Sequence, residues 1–184
     1  MKKNLFKIDI NSKIPERMKK IYFGMGCFWG AEKRFWDSKG VYTTIVGYAG
    51  GCKNNPTYDE VCSGETGHAE IVSVVYDIEL IKTVDLLKIF WESHDPTQYN
   101  RQGNDFGSQY RSVIYAETKE DLDLAELTKF KYQKLLLENG FKRIETEIFL
   151  LKNFYFAEGY HQKYLHKNPN GYCGLEGTGV KFEF

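Results

Sequence analysis

Cys27 stands in 24-GMGCFWG-30, a cysteine between glycines followed by two large aromatics. A cysteine that only packs needs neither Gly26 nor Gly30, and a surface loop needs neither Phe28 nor Trp29. The residue packs, binds a metal or reacts. It falls where the short strand-like run 20-KIYFGMG-26 gives way to apolar residues at Phe28, Ala31, Phe35 and Trp36, the spacing of a helix. A thiolate at a helix N-terminus meets free N–H groups and partial positive charge, which should lower its pKa below about 8.5. A buried, inert cysteine is the alternative reading. Glu70 opens the run 70-EIVSVVY-76, whose alternation puts Glu70, Val72, Val74 and Tyr76 on one face and Ile71, Ser73 and Val75 on the other. Glu70 is then either a strand-end carboxylate in solvent, the ordinary reading of the pattern, or a carboxyl at the rim of a core. Desolvation in the second case would keep it protonated near neutrality, able to donate a proton.

The other candidates are less specific. Cys173 lies in the Gly-rich 170-NGYCGLEGTG-179. A mobile backbone there could carry its thiol to a second one, within the roughly 4.4–6.8 Å Cα separation a disulfide needs. Cys62 reads as packed, and Cys52 has no assigned role. Tyr58, Asp105 and Tyr110 are polar loop residues that say little singly. His68, His94, His161 and His166 share no metal-like spacing, and no C-x-x-C occurs, so no metal site is expected. A thiol hydrolase using Cys27 with a histidine base, and an aromatic module that only binds a methionine-like side chain, stay open on these residues alone.

The elements that must hold these groups follow from periodicity. Strands are expected at 20–26, 41–50, 69–77, 110–116 and 145–149, and helices at 27–40, 84–93 (capped by Thr83) and 118–140 (capped by Thr118 and stopped at Gly140). Long loops fill 50–68 and 94–110, and a short helix is expected near 157–165 in an aromatic, Gly-rich tail. The order β-α-β-β-α-β, then helix, edge strand and tail, is that of an α+β, ferredoxin-like split β-α-β sandwich. Residues 1–19 read as a loose arm and 20–184 as one catalytic domain.

Composition narrows the partners. Lys+Arg and Asp+Glu are both 25 and the net charge is zero, which disfavours nucleic acid and anionic membrane as partners. The N-terminal stretch has no apolar core, and no window approaches the roughly 18 apolar residues of a membrane span. A cytoplasmic, monomeric protein is expected, where a disulfide would be transient and catalytic. No Gly-rich phosphate-binding fingerprint follows a strand, so no nucleotide cofactor is expected.

Four blocks in order, 26-GCFWG-30, 56-PTYDEVCSGETGHAE-70, 94-HDPTQYNRQGNDFGSQYRS-112 and 160-YHQKYLHKNPNGYCG-174, resemble the signatures of the type A peptide methionine sulfoxide reductases. Together they cover roughly Lys20 to Val180. The resemblance implies that Cys27 attacks the sulfur of a methionine S-sulfoxide in a pocket for its methyl group formed by Phe28 and Trp29. It implies that Glu70 protonates the sulfoxide oxygen, that Tyr58 and Tyr110 hydrogen-bond it, and that Asp105 supports the site. Tyr164 and Tyr172 match tyrosines close to the site, and Cys173 matches the resolving cysteine. Thioredoxin is the implied reductant, and no cofactor is needed. The tail 177-GTGVKFEF-184 lacks the further cysteine of some members, so direct reduction of a Cys27–Cys173 disulfide is expected.

Overall fold

A computed structural model describes residues 14–184. Of the arm expected over 1–19, residues 1–13 lie outside the described residues, and Met18 and Lys19 already belong to the first strand. The elements are β1 (Met18–Met25), α1 (Phe28–Trp36), β2 (Val41–Ala49), α2 (Tyr58–Cys62), β3 (Ala69–Asp77), α3 (Thr83–Ser93), β4 (Arg101–Gln102), β5 (Asp105–Phe106), β6 (Ser112–Ala116), α4 (Lys119–Glu138), β7 (Glu147–Leu150), β8 (Phe154–Phe156) and α5 (Tyr164–Lys167).

β3 is a strand because it is a run of β-branched and aromatic residues buried on both sides, and all nine of its residues are buried. It lies inside the sheet, paired antiparallel with β1 and with β2. The full order is β7-β6-β1-β3-β2-β8. Its inner four strands, β6-β1-β3-β2, alternate in direction. α1 connects β1 to β2, and α3 connects β3 towards β6. This is the expected split β-α-β layout, extended by β7, parallel to β6, at one edge and by β8, antiparallel to β2, at the other.

The alternation of β3 sorts its side chains between two cores. Val72, Val74 and Tyr76 join Phe23, Phe35, Phe90, Trp91 and Tyr132 beneath α1, α3 and α4. Each such large side chain contributes roughly 1.5–3 kcal/mol by leaving water. Ile71 joins Tyr22, Ala49, Val113 and Tyr115 on the opposite face, covered by Leu151 and Phe154 rather than by a helix.

Local expectations changed in four places. Lys82, not Thr83, precedes α3: its N–H donates to Asp85 Oδ2 at 3.0 Å. The Thr83 hydroxyl instead meets Tyr76 Oη at 2.7 Å and Asp121 Oδ1 at 3.2 Å. The loop over 50–68 contains α2, and the loop over 94–110 contains the β4–β5 hairpin. The tail helix begins only at Tyr164. The Gly-rich tail is also tied down at several points. Arg34 donates to Leu175 O at 2.9 Å, the Phe182 N–H donates to Glu92 Oε1 at 2.8 Å, and Leu175 and Phe182 are buried. Cys173 thus sits in a mostly exposed stretch bounded by buried Leu165 and buried Leu175.

Candidate active site

Cys27 occupies the junction the sequence indicated. It is the residue just before α1, with extended backbone (φ −54°, ψ 122°). Gly26 makes the corner: its φ is +96°, and a Cβ there would lie 2.8 Å from Gln102 Cβ. A side chain at position 26 would therefore be strained and would push the β4 strand away from Cys27. The backbone N–H groups of Trp29 and Gly30 act on the Cys27 sulfur and favour the thiolate. They do not prevail. Burial and the nearby Glu70 charge push the thiol well above its ordinary value. The lowered pKa expected from the helix end is thus reversed, because desolvation outweighs two N–H donors.

Glu70 is the second residue of β3 and is only 2% exposed, so it faces the core rim and not solvent. Its Oε2 accepts the Phe28 N–H at 2.9 Å, which fixes the carboxyl beside Cys27. Burial raises its pKa to about 8, against the Phe28 N–H, which favours the charged form. At neutral pH the group is a carboxylic acid.

The remaining candidates converge from separate loops. Asp105, on β5, is pushed up by burial, and its charge acts on both Cys27 and Glu70. The Tyr172 hydroxyl donates to Asp105 Oδ1 at 3.2 Å. Burial and the Glu70 charge hold the Tyr110 phenol above its ordinary value. Tyr58 opens α2, and its phenol is raised by burial, by a hydrogen bond to the Cys62 sulfur and by Glu70. Both phenols are therefore hydroxyl donors at neutral pH. Cys62, half-buried and hydrogen-bonded to the Tyr58 side chain, belongs to this cluster.

Phe28 and Trp29 do different work. Phe28 is 1% exposed and forms a floor, with its ring 6.0 Å from Tyr48 and 5.0 Å from His161. Trp29 is half-buried and stacks on Tyr164, with centroids 3.9 Å apart and planes 15° apart. Tyr164 is held in turn by its neighbour Lys163, which takes a left-handed backbone (φ 54°). The buried Lys163 ammonium reaches Glu32 Oε1 on α1 at 2.7 Å and also binds Thr44 on β2. Cys173 is exposed, and its sulfur lies 3.1 Å from where a Cβ on Gly30 would sit. The second thiol thus rests on the first turn of the helix that begins after Cys27, in the space Gly30 leaves open.

Two residues that sequence reasoning gave no site role, Glu158 and His161, belong to the same wall. Glu158 accepts the Tyr58 N–H on Oε1 at 2.9 Å and the Tyr48 hydroxyl on Oε2 at 2.9 Å. His161, 1% exposed, accepts the Trp29 indole N–H on Nδ1 at 3.0 Å. Sequence reading weighs the histidines for metal spacing and as a base for Cys27, whereas the useful signal is Glu158 and His161 three residues apart in an aromatic block. Among the described residues no group of three or more His, Cys, Asp and Glu could hold a metal ion, and no helix is long and apolar enough to cross a membrane. Cys52 is exposed, with its sulfur 3.6 Å from Thr66 O.

The arrangement brings a thiol, a neutral carboxylic acid, two phenols, an aromatic floor and a second thiol together at the start of α1. It can attack an electrophilic atom that carries an apolar group and a hydrogen-bond acceptor. Comparison with known proteins agrees with that chemistry. A family model described as peptide methionine sulfoxide reductase matches residues 19–182. The human mitochondrial peptide methionine sulfoxide reductase is 60% identical over 166 residues, spanning 90% of this chain and 71% of that protein. Methionine sulfoxide reductase A of Corynebacterium diphtheriae superposes with a TM-score of 0.83 at 47% identity, covering 86% of this chain and 79% of its own. Mxr1 from Saccharomyces cerevisiae, solved in complex with Trx2, superposes with a TM-score of 0.60 at 25% identity, covering 92% of this chain and 97% of its own.

Proposed function

Because this chain belongs to the peptide methionine sulfoxide reductase family and is an oxidoreductase of that kind, we propose that its reaction starts with Cys27 attacking the sulfur of a methionine S-sulfoxide. Phe28 and Trp29 receive the substrate's methyl group. Glu70, Tyr58 and Tyr110 meet the sulfoxide oxygen, and Asp105, with Tyr172, closes the polar side. A sulfoxide sulfur becomes electrophilic only when its oxygen is protonated or strongly hydrogen-bonded, and donors aimed at that oxygen stabilise the charge that builds on it. The observation that carries the reading is the neutral, buried Glu70 carboxyl fixed by the Phe28 N–H next to Cys27.

The electron balance closes on two thiols. The Cys27 sulfur gives two electrons to the sulfoxide sulfur and takes its oxygen, which releases methionine and leaves a sulfenic acid. The Cys173 thiol attacks that sulfur, expels the oxygen as water and forms a Cys27–Cys173 disulfide. A thioredoxin dithiol then restores both thiols by exchange. The exposed Cys173, placed over Gly30, supports a short path to the disulfide and an accessible sulfur for the reductant. The Mxr1 complex with Trx2 supports thioredoxin as that reductant.

The test is mass spectrometry of the reduced protein after one equivalent of methionine sulfoxide, with the epimers supplied separately. The S epimer should yield one methionine and a Cys27–Cys173 disulfide, and Cys27→Ser should do nothing even with dithiothreitol. Equal consumption of the R epimer, or a disulfide through Cys52, would overturn the assignment.

A further inference from the structure

The β4–β5 hairpin has two faces, and the proposed reaction uses one of them. Strand alternation puts the pair Gln102 and Asp105 on one face and the pair Arg101 and Phe106 on the other. Gln102 is buried at the Gly26 corner, and the Asp105 charge acts on Cys27 and Glu70, so the first face belongs to the reacting centre. The second face stands one residue further along each strand. Its two side chains are joined: the guanidinium carbon of Arg101 lies 4.3 Å from the centre of the Phe106 ring, and Nη2 donates to Gly103 O at 2.6 Å.

Arg101 is otherwise incomplete. Its Nε–H is buried and has no hydrogen-bond partner. Its Nη1 makes no hydrogen bond, and no carboxylate among the described residues pairs with it. Arg17 and Arg111, by contrast, hold Asp77 and Glu147. Asp105 shares the hairpin but lies on its other face, where the Tyr172 hydroxyl claims it at 3.2 Å. A cation stripped of part of its water and given no counter-ion gains more from an incoming carboxylate than a solvated one does, and the planar guanidinium suits two-point pairing. Phe106 is 66% exposed beside it, an apolar surface for the stem that carries such a carboxylate.

We propose that Arg101 and Phe106 form a subsite for polypeptide substrates. It takes an acidic side chain next to the methionine sulfoxide, glutamate best, with the methylenes on the Phe106 ring and the carboxylate on Arg101. This rests on the reading of Cys27 as the thiol that attacks the sulfoxide. Successive residues of an extended chain stand roughly 3.3–3.6 Å apart and point to opposite sides. A substrate that turns its methionine sulfoxide to the Gln102–Asp105 face therefore offers a neighbouring side chain to the Arg101–Phe106 face. The subsite selects among oxidised sequences and takes no part in bond making, so it acts on KM and not on kcat.

The test compares kcat/KM of the full chain for acetyl-Glu-Met(O)-Ala-amide and acetyl-Ala-Met(O)-Glu-amide, as S epimers, with the same peptides carrying Gln for Glu. One Glu peptide should exceed its Gln counterpart on the order of 5-fold, through KM, and the preference should shrink as salt is raised. The Glu-to-Gln ratio is taken within each protein, so it does not depend on how much activity a variant retains. The preference should vanish in Arg101→Gln, persist in part in Arg101→Lys, and pass to a Lys peptide in Arg101→Glu. Phe106→Ser should raise KM for the Glu and Gln peptides alike. Equal use of Glu and Gln at both positions by the wild type, a preference that survives in Arg101→Gln, or an unchanged KM in Phe106→Ser overturns the subsite. An Arg101-dependent preference for acetyl-methionine sulfoxide over its amide would give the cation to the substrate's own terminal carboxylate and also overturns it. The same peptides, with fluorescein in place of acetyl, are titrated onto Cys27→Ser and read by anisotropy. A Glu preference there with no turnover by the wild type would mean that the sulfoxide reaction fails and the subsite stands.

Discussion

Replacing Glu70 with glutamine should make the protein more stable and much less active, with both effects set by one burial. Glutamine keeps the shape, the acceptor for the Phe28 N–H and a donor, and it cannot ionise. In the wild type burial pushes the folded carboxyl up to about 8, from 4.5 for an unperturbed glutamate. The sign follows from linkage. Below pH 4.5 both folded and unfolded chains hold the proton, and the wild type suffers no penalty. Between 4.5 and 8 the unfolded chain releases it and the folded chain does not, so wild-type stability falls as pH rises and levels off above 8. The full span of roughly 3.5 pH units is worth about 5 kcal/mol, of which about 4 kcal/mol lies between pH 5 and pH 8.5. Guanidinium unfolding of both proteins under reducing conditions should show Glu70→Gln gaining that much over the wild type across this range. Rapid-quench single turnover at pH 7.5 should show the variant slower by about 10²–10⁴-fold, the usual contribution of a general acid. A stability difference that does not change with pH would mean that Glu70 is ionised in the fold. The acid role would then be untenable at neutral pH, whatever the rate.

Cys173→Ser should reduce one equivalent of sulfoxide and then stall with thioredoxin, leaving a sulfenic acid on Cys27 that dimedone traps. Unchanged steady-state turnover would remove Cys173 from the cycle. Gly30→Ala should slow disulfide formation while sparing the first sulfoxide reduction, because its Cβ would press on Cys173 Sγ at 3.1 Å and Leu175 Cβ at 3.3 Å. Stopped-flow separation of the two steps checks this, and equal slowing of both would refute the geometry. Lys163→Met should cost about 3–5 kcal/mol by leaving Glu32 buried and unpaired, and Glu32→Leu in the same chain should recover most of it. Thermal unfolding of the single and double variants decides whether the pair acts as a unit.

The fold was legible where pattern and burial speak the same language. β3 alternates over nine residues between two cores, so its bounds and both of its faces could be read directly. α4 announces itself through Thr118, whose side chain accepts the Asp121 N–H. α2 went unread although its signal is local: Thr57 and Glu60 form a reciprocal capping box in a stretch otherwise dominated by turn residues. The β4–β5 hairpin is likewise encoded by Gly103-Asn104 between two-residue strands, too short for any periodicity to register. Thr83 misled because a hydroxyl at a helix start is an ordinary cap, whereas here Tyr76 and Asp121, remote in sequence, claim it.

The site was legible in its reagents and only in part in their proton inventory. A helix end beside Cys27 correctly indicates N–H donors, and Trp29 and Gly30 supply them. A protonated Glu70 was one of the two readings its strand allowed; what a linear reading of Cys27 omits is that burial beside that carboxyl raises the thiol as well, so that at neutral pH both groups hold their protons. That inventory suits the proposed reaction better than a preformed thiolate would. Reduction of one sulfoxide releases one water, whose two protons equal those lost by Cys27 and Cys173 when the disulfide forms. A carboxylic acid standing between the thiol and the sulfoxide oxygen can give its proton to the oxygen and take the thiol's in exchange, returning to its starting state. For that relay its affinity for the proton must be close to neutral, below that of the thiol and far above that of a solvated glutamate. Placing Glu70 on a strand buried on both sides, with the Phe28 N–H as its hydrogen-bond donor, is what puts it there.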